Sequence, residues 1–449
     1  MTGKEFIYTK TTWSDNRSRL VCEYIILTDE KSFELSESVT FPHPIPKSYE
    51  ANQLERALHL ALGVSYYKAF IPPIISHPYA MSEVEASFWN TVFKNGYGEF
   101  LFKNNLSYKQ IAQFTAQNGN KFSDKQGSSQ KLEEKALLGI GGGKDSIVAG
   151  ELLKQIGVPV TGFVLATGEV LGQTQAVSDV MGINLLPIKR LIDREIIEIN
   201  TLDGATNGHI PISFIFGLIG ATTALSNNSA YVIVANEASS SIPHATHENM
   251  EVNHQWSKSI EFERLFQDYL HTYVSSEMYY FSAIRPMPTL AVVSKFVEYP
   301  EYFEVFTSDN SLFRIAANER THPRWSLDSS KSLSSFILLS ALLSEEQLLM
   351  IFGHNFLDDS SLQDSFSAIM GENGKVVLDC VGTPEELRAS LKKAHDKSIF
   401  ENSFLMNYAI DRDLLEGTTP YETLLKHETH VFPESIKNQL LNAIGGHDV

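Results

Sequence analysis

The chain has 449 residues, 43% of them hydrophobic and 20% charged, which at about 150 residues per domain gives two or three packed units and excludes a disordered chain. Its formal charge of −18 repels phosphate backbones and anionic membranes, so neither nucleic acid nor a membrane is an expected partner. Cys22 and Cys380 are the only cysteines, too few for a disulfide framework or a four-thiolate zinc site, and the start at Met1 lacks a secretory apolar core, so a cytoplasmic protein is expected.

In chain order, Arg19 to Leu27 and Phe33 to Phe41 flank a turn at 28–31 and predict a hairpin. Leu54, Leu58, Leu60, Leu62 and Val64 predict a helix or helix pair over 51–70, stopped by Pro72 and Pro73. The polar stretch Asn118 to Lys131 reads as a linker and places a domain boundary near residue 130. Beyond it, strands at 136–140, 158–166, 184–188 and 231–234 alternate with helices at 145–156, 169–181, 193–200 and 211–225. This alternation predicts an α/β fold with a parallel sheet, whose ligand crevice lies at the carboxyl ends of the strands, where loops 139–146, 203–211 and 235–240 converge. The uncharged stretch 210–236 is broken by Pro211 and by Ser226-Asn-Asn-Ser229, and reads as a buried helix followed by a strand. A further helix carries Phe262, Leu265, Phe266, Tyr269 and Tyr273, and the remainder from about 300 reads as α-rich with interspersed strands. Thr383-Pro-Glu-Glu386 is a capping box that starts a helix. The expected units are an α+β domain over 1–130, a parallel α/β domain over 131–300 and an α-rich region over 301–449.

The run Leu138-Gly-Ile-Gly-Gly-Gly-Lys-Asp-Ser146 joins the first strand of that sheet to its first helix. Its glycines let backbone N–H groups approach an anion, the helix start adds partial positive charge, and Ser146 adds a hydroxyl. It departs from the Walker form because Asp145 follows Lys144 and no glycine stands five positions before Gly143. Lys144 also occupies the place of the third glycine of the dinucleotide fingerprint. The run resembles the PP-loop of the adenine-nucleotide α-hydrolases, SGGxDS, matching at Gly141-Gly-Gly-Lys-Asp-Ser146 except for its first glycine. That resemblance implies a PP-loop (HUP-like) ATP domain in which Gly141, Gly142, Gly143, Lys144, Asp145 and Ser146 grip the phosphates while ATP splits to AMP and pyrophosphate. Two cysteines and the acidic balance weaken a tRNA-thiolating reading, and Cys22 in a predicted strand weakens a glutamine-fed amidation.

Segments Asn207-Gly-His-Ile-Pro211, Asn236-Glu237, Asn253-His-Gln-Trp-Ser-Lys-Ser259, Arg285-Pro286, Arg324-Trp325 and Cys380-Val-Gly382 accompany the turn, with Ala57 to Lys68 and Gly96-Tyr-Gly-Glu-Phe100 in the front half. Together they resemble the MurL family of UDP-N-acetylmuramoyl-L-alanyl-L-glutamate epimerases, over about residues 20–390. The resemblance implies ATP- and Mg²⁺-dependent inversion of the terminal L-Glu of a UDP-muramoyl dipeptide to D-Glu, in peptidoglycan precursor synthesis. The chemistry fits the turn: adenylating the carboxylate removes the charge that opposes a carbanion at the neighbouring α-carbon, so activation precedes proton removal. The family pattern also carries a cysteine cluster suited to zinc, but this chain has Asp309-Asn310 and then Ser326, Ser329 and Ser332, which cannot replace thiolates.

Candidate acid/base groups are His209, ahead of a proline-started helix, His254 and Lys258, ahead of an amphipathic helix, and Cys380, whose thiol lies before the capped helix start where the dipole favours a thiolate. Helix capping, a solvated helix start and an inert buried thiol are the structural alternatives for these positions. Glu237, at a strand end beside the crevice, is a candidate for ribose, Mg²⁺ or substrate. Asn207, Arg285, Arg314 and Arg324 are candidate substrate contacts, the arginines as carboxylate or diphosphate clamps, with salt bridges as the alternative. No residue is assigned to a metal held by the protein itself. Two other functions remain open: an adenylating ligase acting on another carboxylate, and a non-catalytic ATP-binding module.

Overall fold

The computed structural model describes residues 1–117, 131–166, 172–308, 324–327, 329–374, 377–426 and 429–445. Strands β1 (Gly3–Trp13), β2 (Arg19–Thr28) and β3 (Ser32–Thr40) form an antiparallel meander. In β2, Leu20, Cys22, Tyr24 and Ile26 are buried while the residues between them stay partly exposed, the period-two alternation of a strand with one core face. This is the expected hairpin, extended by β1. The helices Tyr49–Leu62 and Val64–Tyr67 follow and cover the meander.

β4 (Ile74–Ser76), β5 (Glu133–Gly139), β6 (Val160–Ala166), β7 (Leu185–Ile192) and β8 (Ser229–Val234) come next, then the short hairpin β9 (Ala245–His247) and β10 (Met250–Val252), and lastly β11 (Tyr279–Ser282). All but β9 and β10 belong to one nine-stranded sheet in the order β11-β8-β5-β6-β7-β3-β2-β1-β4. β11, β8, β5, β6 and β7 are mutually parallel, as the alternation predicts. β7 then pairs antiparallel with β3, so the sheet runs unbroken between residues on either side of position 130. Arg190 on β7 seals that join: its guanidinium pairs with Glu37 of β3 and donates to the Ser65 hydroxyl at 2.7 Å, all three buried. The linker segment 118–130 itself lies outside the described residues.

From β5 the chain moves outward through β6 and β7, then returns to build β8 and β11 on the other side. The direction reverses between β5 and β8, and in such sheets the crevice opens at the carboxyl ends of the two strands flanking the reversal. The stretch 210–236 folds as the helix Ile212–Asn227 and then β8. That helix is apolar on nearly every face because it is covered on both sides, by Tyr49–Leu62 and by the sheet. Among the described residues no helix is long and apolar enough to cross a membrane.

Beyond residue 300 the described residues form helices and turns; the expected interspersed strands are absent among them. The helix Ser330–Ser340 packs against Pro384–Asp396, whose capping box is present in both directions: Glu386 N–H donates to Thr383 Oγ1 at 3.1 Å and Thr383 N–H to the Glu386 carboxylate at 2.9 Å. Where the family pattern places cysteines, Ser326 N–H donates to Ser332 Oγ at 3.2 Å, and Trp325 packs between Phe306 and Phe352 with ring centroids 5.1 and 4.5 Å away. Hydrogen bonding and packing hold this segment.

Candidate active site

β5 ends at Gly139, where a side chain would strike Phe216 at 2.5 Å, and the turn that follows needs a left-handed residue at Gly142, with φ +86°. A side chain at Gly141 would meet nothing within 4 Å, so this backbone faces open space. The helix Lys144–Gln155 then begins without a side-chain cap at Gly143, and Ser146 Oγ donates to Gly143 O at 3.0 Å. The turn lines a cleft of about 540 Å³ at the carboxyl ends of β5, β6 and β8. Val164, Ala166, Phe216 and Leu338 make part of its wall apolar, whereas Lys144, Asp145, Glu237, Lys258, Lys331 and Cys380 make the rest polar. A second cavity of about 200 Å³ shares Asp145, Glu237, Lys258 and Cys380 and adds His244 and Asp379.

Three buried or nearly buried lysines thus face the cleft of a strongly acidic chain. Lys144 pairs with Asp145, and its Nζ lies 3.7 Å from Glu237 Oε2. Burial opposes its charge, yet Asp145 and Glu237 outweigh burial and hold the ammonium above its ordinary range. Glu237 Oε1 accepts from Ser239 Oγ at 2.8 Å and Thr289 Oγ1 at 3.0 Å, while Oε2 is buried without a hydrogen bond. Lys258 Nζ lies 3.6 Å from Cys380 Sγ. Burial again pulls the ammonium down, and Cys380, Asp145 and Asp379 together push it up further. Lys331 Nζ lies 3.3 Å from Asp379 Oδ1. Burial would raise the Asp379 carboxyl, but Lys331 and His254 hold it below its usual range.

Behind Asp379 lies a histidine cluster. His254 Nδ1 is 2.6 Å from Glu99 Oε2, His254 Nε2 is 3.9 Å from Asp379 Oδ1, and His209 Nδ1 is 3.9 Å from Glu99 Oε2. Glu99 also pairs with Lys103; burial raises its carboxyl, but the His254 and Lys103 hydrogen bonds prevail and hold it at about 2. Burial pushes His209 down to about 4.

The structure therefore gathers the turn, Glu237, Lys258 and Cys380 around one cleft and sets His254 and His209 behind it. The 203–211 loop is displaced from the expected convergence, since its residues contact the Gly98–Asn104 helix and line neither cavity. Within it, the Asn207 side chain accepts from Lys68 Nζ and from Gly208 N–H. Arg285 is 1% exposed and turned away from both cavities. Its guanidinium pairs with Glu263 at 2.7 Å and donates to the carbonyls of Glu237 at 3.0 Å and Lys258 at 2.6 Å, which holds the two cleft-bearing segments together. Arg324 donates to the backbone carbonyls of Phe303 and Ile351. Arg314 lies outside the described residues. Sequence reasoning passed over Lys331, Asp379, Glu99 and His244. Glu99 carries a local signal, an acid in the otherwise apolar helix start Gly-Glu-Phe-Leu101; Lys331 sits in a serine-rich run with none.

A largely parallel sheet with reversed strand order, a glycine turn at the reversal and buried lysines around the cleft define an α/β protein with its cleft at the carboxyl ends of the strands. The chain belongs to the MurL family: the profile of the MurL N-terminal domain matches residues 1–283 and that of the MurL C-terminal domain residues 305–418. Three relatives bear the name UDP-N-acetyl-alpha-D-muramoyl-L-alanyl-L-glutamate epimerase. That of Xanthomonas oryzae pv. oryzae (strain MAFF 311018) is 33% identical over 342 residues, covering 76% of this chain and 74% of its own. The Micromonospora sp. (strain ATCC 39149 / NRRL 15099 / SCC 1413) protein is 28% identical over 395 residues, covering 87% and 86%. The Salinispora tropica protein is 27% identical over 415 residues, covering 90% and 88%.

Proposed function

We propose that this chain is a UDP-N-acetylmuramoyl-L-alanyl-L-glutamate epimerase that uses ATP as co-substrate to activate the terminal glutamyl group. The family membership and the names of three relatives support the epimerase reading. The observation that carries the ATP step is the glycine turn, open at Gly141 and followed by Lys144, in a cleft whose other wall is apolar enough for a base. Mg²⁺ travelling with the nucleotide would be held by Asp145 and Glu237, whose Oε2 is without a hydrogen bond, and would neutralise phosphate charge.

An oxygen of the substrate carboxylate attacks the α-phosphorus of ATP, and pyrophosphate leaves with the electrons of the broken P–O bond. The resulting mixed anhydride no longer carries the charge that opposed a carbanion, so the α-C–H becomes acidic. Cys380, 3.6 Å from the Lys258 ammonium, serves as the base that removes that proton, and the ammonium is placed to hold the enolate oxygen. A solvent water gives a proton to the opposite face and inverts the centre, and the proton held by Cys380 passes back to solvent, neutralising the hydroxide left behind. Water then cleaves the anhydride, releasing AMP and the D-glutamyl product, so each turnover consumes one ATP and one water. His254 and Asp379 serve here as positioning residues behind the reacting groups.

The test is product analysis with UDP-MurNAc-L-Ala-L-Glu, ATP and Mg²⁺: AMP, pyrophosphate and D-Glu in the recovered dipeptide are expected. ADP in place of AMP, or incorporation of an added amine without inversion, would replace this reading with a different transferase or ligase chemistry.

A further inference from the structure

Glu99, His209 and His254 come from three separate segments: the Gly98–Asn104 helix, the loop ahead of Pro211, and the turn ahead of the helix Ile260–Tyr269. One carboxylate oxygen and one ring nitrogen from each histidine lie within 4.8 Å of one another. A zinc-type cation takes ligands at about 2.0–2.2 Å, which sets them roughly 3.5 Å from one another, so side-chain shifts of up to about an ångström bring all three into range.

The surroundings are those of a ligand set more than of a plain hydrogen-bonded pair. The His209 ring is largely buried, its Nε2 has no hydrogen-bond partner, and its Nδ1 has only the 3.9 Å approach to Glu99 among the described residues. A buried imidazole without a hydrogen bond asks for a partner. On the far side of His254, Nε2 faces Asp379 Oδ1 at 3.9 Å. At that distance the two are not hydrogen-bonded, but Asp379 stands on the side from which a carboxylate orients a metal-bound imidazole through its second nitrogen. Two imidazoles and one carboxylate suit zinc, iron(II) or cobalt(II) better than Mg²⁺, which prefers oxygen ligands.

We propose that Glu99, His209 and His254 bind one divalent cation of the zinc class, separate from any Mg²⁺ that accompanies a nucleotide. The cation ties the front-half helix carrying Glu99 to the 253–259 segment, and so fixes Lys258, four residues after His254, against Cys380. Its function is positional: it replaces by coordination the hydrogen bonds that His209 lacks.

Full-length protein stripped with a chelator and titrated with Co²⁺ tests this. Visible d–d absorption saturating at one equivalent and displaced by Zn²⁺ is expected, with a Zn²⁺-dependent rise in Tm. Because the His209 ring makes no hydrogen bond among the described residues, H209N should melt like the wild type when metal-free, yet lose the absorption and the Zn²⁺-dependent rise. E99Q, which preserves shape but gives up the Lys103 and His254 ion pairs, should start from a lower metal-free Tm and likewise lose the absorption and the Zn²⁺-dependent rise, and D379N should weaken Co²⁺ binding by about 10- to 100-fold. No absorption in the wild type overturns the proposal, as does one-equivalent binding that persists unchanged in both H209N and E99Q.

Discussion

Lys258 Nζ stands 3.6 Å from Cys380 Sγ at the boundary shared by the two cavities, and Lys258 is held there through its own carbonyl by the buried Arg285. Both residues line the same cleft as the glycine turn, so in the proposed reaction activation and proton removal take place side by side.

Replacing Cys380 should separate those two steps. C380A is expected to lower solvent-hydrogen exchange at the substrate α-carbon by about 10²- to 10⁴-fold, the usual contribution of a positioned base. Pyrophosphate–ATP exchange should persist, because the proposed phosphate contacts Lys144 and Ser146 remain. Equal loss of both activities would remove Cys380 from the proton-transfer role.

Lys144 is the cation nearest the turn, and K144M is expected to weaken ATP binding about 10- to 100-fold, the size of one or two charged hydrogen bonds. Calorimetric titration of nucleotide into the folded variant measures this directly. An unchanged Kd would place the phosphates elsewhere.

The Arg285–Glu263 pair is 1% exposed on both sides, so removing one partner leaves an uncompensated buried charge. R285M should destabilise the fold by about 3–5 kcal/mol, read as a fall in denaturation midpoint. A variant of full stability with only a raised KM would instead make Arg285 a substrate contact.

His59 gives the fold a dependence on pH. Burial pushes its imidazole from the ordinary 6.5 down to about 4, with the hydrogen bond to the Glu23 carbonyl opposing. Above pH 6.5 neither folded nor unfolded His59 carries a proton, so its contribution is fully present. Below 6.5 the unfolded chain takes up a proton that the folded chain refuses, and stability falls until about pH 4, by on the order of 3 kcal/mol. Denaturation of H59Q between those limits should show a shallower pH slope than the wild type; an unchanged slope would exclude His59 as the source.

Four of the five parallel strands are legible because most are short apolar runs bounded by glycine or polar turns, whereas the four-residue β11 is too short to stand out beside the helix before it; the glycine turn is legible because three adjacent glycines stand between a strand and a helix start. β1 escapes notice because Thr9-Lys10-Thr11-Thr12 hides the inward-facing Phe6 and Tyr8. The joining of front and central units is equally hidden, since β3 and β7 pair across a separation of 153 residues at Glu37 and Arg190. Lys258 and Cys380 are recognisable singly, by residue type and by the helix starts they precede; their contact is not, because 122 residues separate them. Arg285 misleads for a related reason: an arginine that clamps backbone carbonyls and one that clamps a substrate carboxylate read alike in one dimension.

Turnover of UDP-MurNAc-L-Ala-L-Glu in deuterium oxide, with ATP and Mg²⁺ present or withheld, tests the central claim most directly. Mass spectrometry and configuration analysis should find D-Glu carrying one α-deuterium, formed only with ATP and matched mole for mole by AMP. D-Glu formed without ATP, or without deuterium, would contradict activation followed by proton exchange.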